Sequence, residues 1–307
     1  MTIFPTRILF ASDGSEDSEL AATTAVGLAK ITGSELHLLH VAPAFPDYFE
    51  PSDPDEPGPT EREGRRILDE QVNKIENVGG AVAQSHLRRG GAAEEVIDLA
   101  EELQTGLIVL GSRGRGRIRR ALMGSVSDSV VRHAHCPVLV VRWKPVVFPV
   151  KILLATDGSE EAVLAAQSAA DLAARTGSEL HVTHVGKVLS HGGAGVKASY
   201  VGVEVDPLPA GPQELLDKES KEVLEAQLAR MGEAGVTVTE AHLMSGRADE
   251  EIIFLAEGVG ADLVVVGSRG LGGVRRARMG SVSDSVVRHA HCPVLVVRRE
   301  GGRQEPV

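Results

Sequence analysis

Aromatic residues are scarce in this chain: 3% of 307 residues, with one Trp and two Tyr. Stacking platforms for single-stranded nucleic acid need such rings in series, so that class of function is disfavoured. Cysteine is rarer still. Only Cys136 and Cys292 occur, too few for a disulfide framework and suited to a reducing compartment. No apolar run approaches the roughly 20 residues a membrane span requires, and the opening MTIFPTRILFASD lacks a basic region followed by a cleavable apolar stretch. These absences lead to the expectation of a soluble, cytoplasmic protein with no membrane partner. Positive charge is also in deficit. A net charge of -11 repels phosphate backbones over most of a surface and argues against nucleic-acid binding.

What the chain has in abundance is itself. Met123 to Arg142 reads MGSVSDSVVRHAHCPVLVVR, and Met279 to Arg298 repeats it letter for letter. Upstream the halves agree only in patches, so either this segment carries shared work or gene conversion has homogenised it. The residues before it favour work, because both copies extend backwards into a glycine loop of one spacing: Gly111-x2-Gly114-x9-Gly124-Ser125 and Gly267-x2-Gly270-x9-Gly280-Ser281. Two domains of about 150 residues, each able to bury a substantial core, follow from the length and the repeat. Their expected extents are residues 1–145 and 146–307.

Each half opens with a short apolar strand running into Asp-Gly-Ser, RILFASDGS from Arg7 and KILLATDGS from Lys151. An alanine-rich helical pattern follows (Glu16 to Thr32; Glu160 to Thr176), ended by Gly33 or Gly177, and then a strand (Glu35 to Val41; Glu179 to Val185). Next comes a stretch rich in Pro and Gly that reads as a loop or lid. Matched positions are offset by 144 residues at Asp13 and Asp157 but by 156 at Gly111 and Gly267, so the second loop region is the longer. Beyond it the pattern predicts helix (Thr60 to Val78; Glu214 to Ala234), strand (Ala81 to Arg88; Val236 to Met244), helix (Ala92 to Gln104; Ala248 to Val259) and strand (Leu107 to Gly111; Leu263 to Gly267). The glycine loop, a helix from Ser125 or Ser281, and a last strand PVLVVR complete each half. Apolar runs such as LIVLG and LVVVG are strands buried on both faces, and their alternation with helices predicts a doubly wound α/β domain with a parallel sheet. Ligands in such sheets bind beyond the carboxyl ends of the strands, where the winding reverses. The Asp-Gly turn and the glycine loop both lie there.

Glycine at 111, 114 and 124 lets backbone N–H groups approach an anion, and the helix starting near Ser125 adds its unpaired N–H groups and dipole. Ser125 and Ser127 can donate to phosphate oxygens; Gly267, Gly270, Gly280, Ser281 and Ser283 repeat the arrangement. Neither loop is a Walker A motif or a dinucleotide fingerprint. Arg113, Arg115, Arg117, Arg119 and Arg120, matched by Arg269, Arg275, Arg276 and Arg278, form a local basic cluster suited to a polyphosphate. Asp13 and Asp157 have two readings: a cap on the turn and the next helix, or a contact to nucleotide or metal. His133, His135 and Cys136 lack zinc-site spacing and read as surface histidines with a buried thiol. His37, His40, His181 and His184 alternate with apolar residues along strands and read as structural.

On the motif G-2x-G-9x-G-(S/T), present in both halves, the chain resembles a tandem universal stress protein of the ATP-binding branch. The resemblance implies two adenine nucleotide alpha hydrolase-like domains, each a five-stranded parallel sheet in the order 3-2-1-4-5 flanked by helices. It implies that Asp13 and Asp157 face the nucleotide or its Mg²⁺, that Val41 and Val185 hold adenine through backbone groups, and that Gly111, Arg113, Gly114 and the stretch Gly124-Ser125-Val126-Ser127 take ribose and phosphate. Gly267, Arg269, Gly270, Gly280, Ser281, Val282 and Ser283 are the counterparts. The expected function is a nucleotide-sensing regulator of the stress response acting through ligand-dependent association with protein partners. The rivals are a slow ATP hydrolase and a ligand-independent interaction module; no His-x-Gly-His or Ser-Gly-Gly-x-Asp-Ser motif marks an enzyme. Pairing of the two PVLVVR strands, each outermost in its sheet, is expected to make the halves a pseudo-dimer, with a homodimer of chains as a further expectation.

Overall fold

The computed structural model describes residues 7–44, 58–114, 123–143, 149–186, 212–270 and 279–299. The chain divides between residues 148 and 149 into two compact units. In the first, strands β1 (Arg7–Ala11), β2 (Glu35–Ala42), β3 (Gln84–Arg89), β4 (Leu107–Gly111) and β5 (Val138–Val141) alternate with helices α1 (Glu16–Thr32), α2 (Pro59–Asn77), α3 (Ala92–Glu102) and α4 (Ser125–His133). In the second, β6 (Lys151–Ala155), β7 (Glu179–Gly186), β8 (Glu240–Ser245), β9 (Leu263–Gly267) and β10 (Val294–Val297) alternate with α5 (Glu160–Thr176), α6 (Pro212–Glu233), α7 (Ala248–Val259) and α8 (Ser281–His289). Strand order is β3-β2-β1-β4-β5 in one and β8-β7-β6-β9-β10 in the other, with the neighbouring strands parallel, which is the expected 3-2-1-4-5 arrangement twice over. No helix among the described residues is long and apolar enough to cross a membrane.

The reasons for the elements are local. Ser15 and Ser159 cap α1 and α5, their hydroxyls accepting the N–H groups of Ser18 and Ala162, and acidic residues fill both first turns. Gly33 and Gly177 close the same helices in the left-handed conformation, φ 69° and 68°, where a Cβ would be strained. Alanine on α1 and α5 lets those helices settle closely on the sheet; Ala21, Ala25, Ala165 and Ala169 are fully buried there. Beneath them, Ile8, Leu9 and Phe10 of β1 and Ile152, Leu153 and Leu154 of β6 have no exposed surface, as strands covered on both faces require.

Two strands start later than their sequence pattern predicts. Alternation suggested strands from Ala81 and Val236, whereas β3 begins at Gln84 and β8 at Glu240. The physical reason is the neighbour. Near its start β7 takes one bond from Thr239 N–H to the Leu180 carbonyl, and earlier residues have no strand alongside. Val236 instead donates back to Met231, closing the end of α6.

Candidate nucleotide site

Both units bring the carboxyl ends of the first and fourth strands together at the point where strand order reverses, and the residues there are held by one repeated network. Asp13 accepts the Ser15 N–H at 3.0 Å, and Asp157 the Ser159 N–H at 3.0 Å, so each aspartate shapes its own Asp-Gly-Ser turn. Gly14 and Gly158 carry φ of 73° and 81° in those turns, a conformation side chains resist. The turn is tied across the crevice to the glycine loop: Ser15 donates to the Arg113 carbonyl at 3.3 Å and Ser159 to the Arg269 carbonyl at 3.4 Å. A Cβ built on Gly114 would lie 2.3 Å from Asp13 Oδ2, and one on Gly270 2.1 Å from Asp157 Oδ2. Aspartate and second motif glycine therefore stand face to face, and a side chain there would have to displace the carboxylate.

The three motif glycines serve three purposes. A Cβ on Gly111 would meet the Asp17 carbonyl carbon at 2.8 Å, and one on Gly267 the Glu161 carbonyl carbon at 2.9 Å. At these two positions the structure supplies a packing reason, the first turn of α1 or α5 lying directly on the strand end. Gly124 and Gly280 differ. Their φ values of -74° and -75° suit any residue, and the nearest atoms to an added Cβ are at 3.4 Å and 3.6 Å, ordinary contact distances. Neither conformation nor packing among the described residues demands glycine there. Each sits at the N-cap of α4 or α8 without a side-chain cap, so the N–H groups of Ser125, Val126 and Ser127, or of Ser281, Val282 and Ser283, begin a helix with no intrahelical acceptor. Ser125, Val126 and Ser281 are exposed, Val282 partly so.

Some expected contacts are already engaged. Ser127 Oγ donates to the Gly111 carbonyl at 2.7 Å and Ser283 Oγ to the Gly267 carbonyl at 2.6 Å, both buried, so these hydroxyl protons brace the helix start against the strand rather than face outward. The Arg113 guanidinium is held by Asp17, Nε to Oδ2 at 3.3 Å, and lies over the Trp143 ring at 5.3 Å. Arg269 pairs with Glu161 at 3.3 Å. Arg115, Arg117, Arg119, Arg120, Arg275, Arg276 and Arg278 fall outside the described residues.

Val41 and Val185 occupy a distinctive place. The Ser12 N–H donates to the Leu39 carbonyl at 2.9 Å, the last bond between β1 and β2, while Ala42 accepts from Gly90 on the β3 side. Alternation then aims the N–H and C=O of Val41 towards β1 but past its end, where the ladder offers no partner. The Thr156 N–H on the Thr183 carbonyl at 2.9 Å and the Gly246 N–H on the Gly186 carbonyl leave Val185 in the same position. Each unit thus presents an adjacent backbone donor and acceptor to the crevice.

Sequence reasoning passed over Asp17. Its carboxylate accepts from Ser112 Oγ at 2.7 Å and from the Arg113 N–H at 3.1 Å, so it anchors the start of the glycine loop. His40 and His184 were read as structural without a role; each places Nδ1 2.8 Å from the carbonyl of Ser12 or Thr156, a ring N–H donated to the end of the first strand. The available signal was positional, an acid at 17 and 161 and histidine at 40 and 184 in both repeats. His133 is exposed with Nδ1 on the Ser129 carbonyl at 2.8 Å, His135 lies beside Glu101, and Cys136 is fully buried.

The sequence profile of the Universal stress protein family matches residues 5–142 and again 150–298. The chain belongs to the universal stress protein family, as a tandem of two such domains. It is similar to a universal stress protein of Mycobacterium tuberculosis, 31% identical over 303 residues that cover 95% of this chain and 97% of the relative. One from Mycolicibacterium smegmatis is also 31% identical over 303 residues, covering 95% and 96%. Among solved structures, a universal stress protein from Archaeoglobus fulgidus superposes with a TM-score of 0.69 at 25% identity, covering 97% of this chain and 98% of that one. Both universal stress protein domains of the present chain carry the complete G-2x-G-9x-G-S motif, and both assemble it in the same geometry.

Proposed function

We propose that each domain binds ATP with Mg²⁺ and that the chain is a cytoplasmic, nucleotide-sensing regulator of the stress response, acting through ligand-dependent association. The observation that carries this reading is the pair Gly124 and Gly280, glycines for which the described residues impose no conformational or packing need. An anion seated against the N-terminus of α4 or α8 supplies that need, because a side chain there would occupy the space phosphate must enter to reach the helix N–H groups.

In this reading the unpaired N–H and C=O of Val41 or Val185 hold the adenine edge. The start of α4 or α8 holds phosphate through backbone donors, with the Ser125 or Ser281 hydroxyl beside them. Asp13 or Asp157 lies across the crevice, and its negative charge would repel a bare triphosphate. A Mg²⁺ ion carried by the phosphates turns that repulsion into an attraction, the aspartate and water completing its oxygen shell. Among the described residues the crevice holds neither a base set to activate water nor a dedicated donor for a leaving group. Binding without rapid turnover is the expected behaviour, and nucleotide occupancy is what partners would read.

Mass spectrometry of the purified, denatured chain is expected to release adenine nucleotide, and calorimetry with Mg-ATP to show up to two sites. Hydrolysis at about 1 per second or faster, in the range of ordinary enzymes, lost on Asp13→Ala with Asp157→Ala, would replace the regulatory reading with an ATPase.

A further inference from the structure

The outer edge of the second sheet carries a cluster that the nucleotide crevice does not use. His181 stands third in β7, Glu240 opens β8 and His242 follows two residues later, so Glu240 and His242 share one face of their strand. Register pairs His181 with Glu240 across the ladder. His181 Nδ1 lies 3.1 Å from His242 Nε2 and 3.6 Å from Glu240 Oε2, and His242 Nε2 lies 3.7 Å from that oxygen. Ligand atoms about 2.0–2.2 Å from a tetrahedral zinc ion stand roughly 3.3–3.5 Å from one another. The triangle of two nitrogens and one oxygen has that size. A hydrogen bond between the rings explains the shortest side; it does not explain a carboxylate oxygen nearly equidistant from both nitrogens.

The first unit provides an internal comparison. His37 and His86 form the same ring pair, Nδ1 to Nε2 at 3.2 Å, with His37 in register with position 84. Position 84 is Gln, not Glu, and Arg88 and Glu102 form an ion pair where the second unit has Met244 and Gly258. Burial first, then His37 and Arg88, push the His86 pKa down, and a fixed cation such as Arg88 opposes a metal ion. The second unit has neither that cation nor its acidic partner, and it carries a carboxylate at 240. His181 and His242 are buried, 5% and 4% exposed, so the cluster is shielded from bulk water. The other ring nitrogen of His181, Nε2, lies 3.6 Å from Glu179 Oε2, a charge contact rather than a hydrogen bond, as His37 Nε2 lies 3.7 Å from Glu35 Oε2 in the first unit.

We propose that His181 Nδ1, His242 Nε2 and a Glu240 oxygen bind a divalent transition-metal ion of the zinc class, with water as fourth ligand. Two imidazoles and one carboxylate suit that class rather than Mg²⁺ or Ca²⁺. The ion fastens the edge strand β8 to β7, on strand positions near the ends opposite to the Val185 crevice.

The test uses the full chain stripped of metal with chelator and titrated with ZnCl₂ alone in a calorimeter, with CoCl₂ as a visible-absorption probe of tetrahedral geometry. One saturable zinc site per chain is expected, accompanied by a raised melting temperature. Glu240→Gln, which installs the residue the first unit carries at the matched position, and His242→Gln should each weaken it by more than about tenfold. His86→Gln should leave it unchanged. Absence of saturable binding, indifference to both Glu240→Gln and His242→Gln, or an equal loss in His86→Gln would overturn the proposal.

Discussion

Gly124 and Gly280 concentrate the nucleotide reading in two hydrogen atoms. Gly124→Val should block the first site and Gly280→Val the second, so calorimetric stoichiometry should fall from two to one in each single variant and to none in the double. Folding should suffer by about 1 kcal/mol, the ordinary penalty of an aliphatic N-cap, because the added Cβ meets the described residues at contact distance. Undiminished ATP stoichiometry in the double variant would remove the phosphate assignment. His86 makes a separate prediction. Burial first, then repulsion from His37 and Arg88, holds its pKa below the ordinary 6.5, with Glu102 pulling the other way. On acidification the unfolded chain therefore takes up the proton before the folded one. The corresponding stability is fully present above about pH 6.5 and declines as pH falls towards the folded-state value. Melting curves between about pH 5 and 7.5 should show a shallower acid loss for His86→Gln than for the parent; an unchanged slope would refute it. None of this was visible in spacing, since His37 and His86 are 49 positions apart and meet only through the register of β2 on β3.

At the scale of elements, the decisive contact is α1 on the end of β4 and α5 on the end of β9. Gly111→Ala places a methyl group 2.8 Å from the Asp17 carbonyl carbon, backbone that cannot rotate away, and Gly267→Ala does the same at 2.9 Å from Glu161. Each should cost about 1–3 kcal/mol, as overpacking does, read as a lower melting temperature. Each should also loosen nucleotide binding, because moving the helix shifts Asp17 or Glu161 away from the loop it supports. A variant that melts with the parent would show that the helix has room to yield. The elements were largely legible beforehand, since helix ends at Gly33 and Gly177 and apolar runs such as LIVLG act within a few residues; the helix N-caps, Ser15 and Ser159 beside the expected Asp13 and Asp157, were not. The starts of β3 and β8 were not, because a strand extends only as far as a neighbour bonds it.

For the whole molecule, the last strands pose the question of assembly. Val138–Val141 and Val294–Val297 are each outermost in the sheet of their own unit, and such strands invite pairing. We expect them to pair antiparallel within one chain as a pseudo-dimer of the halves. Cysteine pairs introduced at positions 140 and 296, in a background with Cys136 and Cys292 replaced by alanine, should cross-link within the monomer. Cross-links appearing only between chains at high dilution would assign the pairing to a homodimer instead.

By itself the sequence determined the duplication, the α/β class, the strand order through its family likeness, and the motif residues that gather at the ends of the first and fourth strands. These are legible because repeat, periodicity and glycine spacing are recorded along the chain. Only the tertiary structure decided what each residue does there. Gly111 packs a helix and Gly114 faces Asp13, while Gly124 leaves a space; Ser127 turns inward; Val41 holds backbone unpaired among the described residues because β1 stops short of it. It alone brought His181, Glu240 and His242 together, since a cluster spanning two strands depends on register, and register is set by the burial of whole faces rather than by any spacing within one segment.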